Sequence, residues 1–219
     1  MNSDYSIVIP SSRPELRIET QLHLKNQGFG SIIHDGTGYP SFSKLINDAI
    51  VECQTDCIII CNDKARPTSS QIEKMINLHE SGFGFVALYS FGFFCLSKFL
   101  IDKIGFLDER FTNGNYEDCD FIRRLALHDI AFYNKYEIEY KVVPSSWSTL
   151  GSKIFYEQKW KEANPPDDLI CIKNLDELEY EYSLGEFKNR KFKPFSETII
   201  DEASNWFLNV KIETLPGIK

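Results

Sequence analysis

The chain has 219 residues, a hydrophobic fraction of 42% and a formal net charge of −8. That length builds one domain, or one domain with an appendage, around an ordinary globular core. The acidic balance excludes a general nucleic-acid binder, and no apolar run approaches the roughly 18 residues that span a bilayer.

Along the chain, strand and helix signals alternate. Ser6 to Ile9 is a short continuous apolar run, the pattern of a strand covered on both faces. Ser12-Arg13-Pro14-Glu15 has the form of a capping box and predicts a helix running to about Gly28. Ser31 to His34 is the second strand, ending in the turn-prone Asp35-Gly36-Thr37-Gly38. Phe42, Leu45, Ile46 and Ala49 follow helical spacing, and Cys57 to Cys61 is a third buried strand. Thr68 and Gln71 frame another capping box, with Ile72, Met75 and Ile76 on the buried face of its helix. Phe85 to Tyr89 and Gly92 to Leu96 read as strands, Ser97 to Ile104 as a short helix. An acidic helix opens near Glu117, with Phe121 and Leu125 facing inward, and a last strand covers Ile138 to Val143. Such alternation predicts an α/β fold with a mostly parallel sheet flanked by helices.

In sheets of this kind, ligands bind outside the carboxyl ends of the strands. Ser11 and Arg13 after strand one, Asp35 after strand two and Asn62-Asp63-Lys64 after strand three therefore fall along one crevice. Asp63 there suits a hard cation against a diphosphate, or a ribose hydroxyl. Asn and Asp also favour turns for their own sake, and the same alternative stands for Asp35. Glu117-Asp118-Cys119-Asp120 sets three carboxylates in four residues at a helix N-terminus. The macrodipole and free N–H groups account for one of them. Asp120 and Arg124 have the spacing of an i,i+4 ion pair, which leaves Asp118 for general-base chemistry.

Cys53, Cys57 and Cys61 are evenly spaced, but four residues of strand span roughly 13 Å. The six cysteines are expected to be reduced and mostly buried, and the four histidines show no ligand spacing. Met1-Asn2-Ser3-Asp4 lacks the basic region and apolar core of a signal peptide, so the expectation is a cytoplasmic protein. Composition shifts near Asn164-Pro165-Pro166. Residues 1–163 are read as the catalytic domain and 164–219 as an extension that packs on it or binds a partner.

Taken together, the segments resemble the inverting nucleotide-sugar glycosyltransferases of family 2, which have the GT-A (Rossmann-like) fold. Ile7-Val8-Ile9-Pro10 with Arg13 resembles the family's opening strand and loop. His34-Asp35-Gly36-Thr37 resembles its acidic turn, and Asn47 an asparagine in the next helix. Ile58 to Asp63 with Pro67 resembles the strand bearing the D-x-D motif. Gly92 with Ile101 to Phe111 resembles a "G-x-F-D-E-x-F" segment. Glu117 through Arg124 resembles the "E-D-x-D-x-x-x-R" motif, and Phe155 to Trp160 a later segment ending in Lys-Trp.

The resemblance covers about residues 5 to 162. It implies transfer of a sugar from a nucleotide-diphosphate donor to a hydroxyl acceptor on a glycan, a protein or a lipid-linked sugar. It further implies a nucleotide site of Pro10, Ser11, Arg13, Asp35, Asn47, Asn62, Asp63 and Lys64. Asp118 becomes the base with Glu117 as fallback, and Gly92 and Trp147 belong to the donor and acceptor pocket. A divalent cation, Mn²⁺ or Mg²⁺, is implied on Asp63. The last D-x-D position is Lys64, so metal-independent transfer, with Lys64 offsetting the phosphates, is the alternative. A non-catalytic nucleotide-sugar-binding protein is the rival reading. A nucleotidyltransferase comes third, because Ser11-Ser12-Arg13-Pro14 is not a glycine-rich loop.

Overall fold

β1 (Tyr5–Ser11) forms where Ile7, Val8 and Ile9 follow one another, apolar and β-branched. A computed structural model describes residues 5–111, 115–128 and 130–141, together with Ser152, Tyr156, Lys159 and Trp160. The remaining elements are α1 (Pro14–Asn26), β2 (Ile32–Asp35), α2 (Phe42–Glu52), β3 (Cys57–Cys61), β4 (Ala65–Arg66) and α3 (Ser69–Glu80), then β5 (Phe85–Tyr89), β6 (Phe93–Ser97), α4 (Lys98–Ile104), α5 (Glu117–Leu127), β7 (Phe132–Asn134) and β8 (Glu139–Tyr140). Among the described residues, six strands make one sheet in the order β2-β1-β3-β6-β5-β7, and β4 pairs with β8 apart from it. Of the described strands in the large sheet, only β6 runs against its neighbours.

The period-two rule for strands sorts the core into two layers. Val8, Ile58, Ile60, Phe85, Ala87, Phe94 and Leu96 point to the side covered by α2, α4 and α5. Ile7, Ile9, Cys57, Ile59, Cys61, Val86, Leu88, Phe93 and Cys95 point to the side covered by α1 and α3. Phe121 and Leu125 of α5 are fully buried, as helical spacing predicts.

The helix starts show where local rules held. Thr68 and Gln71 form both bonds of the predicted capping box, and Ser41 caps α2 through Lys44 N at 3.1 Å. The box predicted at Ser12 does not form. Arg13 occupies the N-cap position of α1 without a side-chain cap, and Pro14 follows it. Proline is preorganised for the first helical position, so it sets the start one residue later than the box requires. The edge strand β7 is not apparent in the sequence, and the expected strand over Ile138 to Val143 shrinks to Glu139–Tyr140 among the described residues. Val142, Val143, Trp147 and the extension 164–219 lie outside the described residues.

Candidate functional site

The register of the parallel strands sets the floor of the crevice. Ser11 pairs with Asp35 at the carboxyl ends of β1 and β2, and β3 delivers Asn62 and Asp63 beside them. Asp35 is exposed and accepts from Thr37 N at 3.0 Å and Thr37 Oγ1 at 2.7 Å. Arg17 Nη1 lies 2.7 Å from the same carboxylate. Arg17, then the Thr37 hydroxyl and amide, hold Asp35 well below the usual carboxylate range.

Asp63 is buried, 1% exposed. Arg13 grips it as a fork, with Nε donating to Oδ2 at 2.8 Å and Nη2 paired with Oδ1. The Ser11 hydroxyl also donates to Oδ2. Two of the expected nucleotide residues are therefore bonded to a third. The neighbouring Lys64 Nζ sits 5.2 Å over the Tyr140 ring, and burial, then the Arg13 charge, lowers its pKa. Both cations lie at the carboxyl end of β3, and Arg13 is 40% exposed at its side chain.

Asn47 does not reach the crevice surface. It is fully buried, donates from Nδ2 to Leu107 O and Glu109 Oε1, both at 2.9 Å, and accepts from Leu107 N at 3.0 Å. Its amide is spent holding the loop after α4, and with it Glu109, whose carboxyl burial pushes up to about 7. Gly92 also has a packing reason. A Cβ there would lie 2.6 Å from Tyr140 and 2.9 Å from Tyr89, whose stacked rings are 4.0 Å apart. Gly92→Ala is expected to cost about 1–3 kcal/mol by this overpacking, and a urea titration of the variant measures it.

The opposite wall is the start of α5. Glu117 is 6% exposed, and its Oε2 is buried with no hydrogen-bond partner among the described residues. Asp118 beside it is half-buried; it accepts from Cys119 N at 2.8 Å and faces Ser90 Oγ at 3.5 Å. Burial raises both carboxyls. For Glu117 the charge of Asp118 adds to it, and the pKa reaches about 8. Near neutrality Glu117 thus holds a proton, while Asp118 lies at the positive end of the helix dipole, which favours its ionised form. Backbone strain flanks the pair. Ser90, Asn115 and Tyr116 have φ of 42°, 64° and 68°, a conformation that costs about 1–3 kcal/mol per residue.

A turn joins the two walls: Asn62 N donates to Gly92 O at 2.9 Å, and Ser90 of the same turn faces Asp118. Tyr136, 63% exposed, stands edge-on to Tyr89 at 5.0 Å beside this turn. Neither Ser90 nor Tyr136 stood out in the sequence. A tyrosine-rich stretch from Tyr133 to Tyr140 was the available signal.

Below the crevice, Asp120 and Arg124 form the expected i,i+4 pair, with Nε to Oδ2 at 3.0 Å. Lys159 Nζ joins them, 2.6 Å from Asp120 Oδ1 and 2.8 Å from Asp108 Oδ2. Trp160 Nε1 donates to Asp120 Oδ1 at 2.9 Å.

The state of Glu117 has a measurable consequence. Its carboxyl has an ordinary value of 4.5 and is raised to about 8 when folded. A raised folded value contributes stability that is complete below the unfolded pKa and lost as pH rises through the folded one. Stability should therefore fall between about pH 4.5 and pH 8, by at most about 1.4 kcal/mol per pH unit for one proton. Glu117→Gln is expected to flatten this dependence, leaving the shares of Asp118 and Glu109, as read from urea unfolding across that pH window.

The sheet order, its single antiparallel strand and the helices on both faces define a GT-A glycosyltransferase fold. The catalytic domain of Drosophila β1,4-galactosyltransferase 7, solved in complex with xylobiose, aligns over 75% of this chain and 82% of its own, with TM-score 0.56 and 13% identity. A mutant of that Drosophila enzyme in complex with manganese, UDP-Gal and xylobiose aligns over 64% and 71%, with TM-score 0.50 and 13% identity. No protein-family model matches the chain, and no curated protein does. No helix among the described residues is long and apolar enough to cross a membrane.

Proposed function

We propose that the protein is an inverting glycosyltransferase that moves a sugar from a nucleotide-diphosphate donor to a hydroxyl acceptor. The observation that carries this reading is the adjacent carboxyl pair at the start of α5, Glu117 buried and Asp118 half-buried beside Ser90, at the strand-end crevice of a GT-A fold. Asp118 takes the proton of the acceptor hydroxyl as its oxygen bonds to the anomeric carbon. The bond from that carbon to the diphosphate breaks with its electron pair, and the nucleoside diphosphate leaves from the opposite face. A base on the acceptor side and charge stabilisation on the leaving group are what such a displacement needs.

Arg13 and Lys64 supply cationic charge on the donor side, and Asp35 and Ser11 hydrogen-bond partners for the nucleoside. Asp63 fits a divalent cation only once Arg13 has turned from it to the phosphates, because both its oxygens are engaged as the chain stands. A cation so held would neutralise charge on the diphosphate. The exposed ring of Tyr136 and the hydroxyl of Ser90 lie on the acceptor side of Asp118.

Thermal unfolding with nucleotides and nucleotide sugars, each with and without Mn²⁺, tests the reading; UDP sugars come first because a fold neighbour holds UDP-Gal. A ligand at about 100 times its dissociation constant adds roughly 2.7 kcal/mol, a shift of several degrees for a domain of this size. A shift that requires Mn²⁺ assigns the cation to Asp63, and one that does not assigns the phosphates to Arg13 and Lys64. No shift with any donor overturns the proposal.

A further inference from the structure

The far end of β3 carries a second cluster of chemistry-bearing side chains. Cys57 opens β3 and Cys95 lies in β6. The register sets Cys57 opposite Ser97 and Cys95 opposite Ile59, so the two cysteines are diagonal neighbours on one face. Their sulfurs are 3.3 Å apart. His79, in the last turn of α3, brings a ring nitrogen to within 4.8 Å of both. The His79 Nδ1 faces Phe83 O at 3.2 Å. A carbonyl only accepts, so Nδ1 carries a proton, and Nε2 is the nitrogen open to a metal. A ring N–H donated to a backbone carbonyl is the usual support of a metal-bound histidine.

We propose that Cys57, Cys95 and His79 form a binding site for a thiophilic divalent cation, zinc above all, with its fourth position open to water. Tetrahedral zinc with sulfur at about 2.3 Å and nitrogen at about 2.0–2.1 Å separates its ligand atoms by roughly 3.4–3.8 Å. The present separations, 3.3 Å between the sulfurs and no more than 4.8 Å to the ring nitrogen, lie within about 1 Å of those distances. Cys57 and Cys95 are 8% and 0% exposed, whereas His79 is half-buried and provides the way in. The exposed Asp56 adds negative charge next to the cluster.

Two thiols and an imidazole select zinc and exclude the hard cations Mg²⁺ and Mn²⁺, which need oxygen ligands. The site lies at the start of β3, and the crevice follows its end. Five residues of strand place them roughly 16 Å apart. A metal here pins the end of α3 to β3 and β6 and takes no part in the proposed transfer, so it stands or falls independently of that reading.

The full chain, stripped with a chelator and kept reduced with a phosphine, is titrated with Co²⁺ while thiolate-to-cobalt charge-transfer absorption is followed. The expected result is saturation at one equivalent, displacement by Zn²⁺ but not by Mn²⁺, and a rise in unfolding temperature with Zn²⁺. His79→Gln and Cys57→Ser should weaken binding by more than about 100-fold, while Cys53→Ser and Cys61→Ser leave it unchanged. His79→Gln changes a half-buried side chain at a helix end, and its fold is checked by circular dichroism. Absence of the band in the wild-type chain, or an undiminished band in folded His79→Gln, overturns the site.

Discussion

Asp118→Asn is expected to lower the rate of sugar transfer by about 10²- to 10⁴-fold, the usual contribution of a positioned general base. Donor affinity should change little. Asparagine keeps the shape of the side chain and an oxygen to accept from Cys119 N, now 2.8 Å from Asp118 Oδ1. What it loses is the ionised oxygen that takes the proton. The effect therefore falls on kcat, with the donor KM nearly unaltered. Stability should be unchanged or higher, because a neutral amide replaces a carboxyl whose charged form burial disfavours. A drop in kcat without a drop in stability separates a base from a helix cap. If Asp118→Asn transfers sugar at the wild-type rate, Asp118 is not the base and Glu117 takes its place.

The parts of this site that the sequence revealed are those written in consecutive residues. Ile58-Ile59-Ile60 announces a strand buried on both faces, and Glu117-Asp118 follows a recognisable apolar-acidic boundary. Capping at Thr68 and Gln71 was equally local. The parts that stayed hidden depend on contacts across the chain. Asp63 is held by Arg13, fifty residues away, so a carboxylate that reads as a cation ligand is already paired. Asn47 reads as a nucleotide residue because of its place after an acidic turn, yet its amide is committed sixty residues onward at Leu107. Cys57, His79 and Cys95 come from a strand, a helix end and an antiparallel strand, and no spacing rule links them. Lys159 was visible as part of a motif, but only the fold turns its ammonium inward between two carboxylates.

That inward lysine makes the second large effect. Lys159→Met is expected to lower the unfolding free energy by about 3–5 kcal/mol, the cost of removing one partner from a buried ion pair. Methionine preserves length and apolar volume, so the loss isolates the charge. Asp108 and Asp120 are 1% and 0% exposed, and Lys159 Nζ reaches both, at 2.8 and 2.6 Å. Without it Asp108 keeps Arg110, 2.7 Å away, and Asp120 keeps Arg124 and the indole N–H of Trp160. Two carboxylates then face two guanidiniums, and Asp108 Oδ2 and Asp120 Oδ1 each lose a buried, charge-assisted contact to the ammonium. Burial opposes ionisation of Asp108, but Arg110 and Lys159 hold its carboxyl below the usual range. Its contribution is present above the unfolded pKa and lost as pH falls, so the variant should also unfold at a higher pH in acid. Urea unfolding measures the first effect and an acid titration the second. A loss under about 1 kcal/mol would place the lysine with solvated pairs. Asp120 lies two residues after Asp118 on the same helix, and the network fixes the depth at which α5 sits. The proposed base therefore depends on Lys159 for its position, although the two never touch. Lys159→Met should reduce transfer only in proportion to the folded fraction at low temperature, and more steeply as the temperature rises.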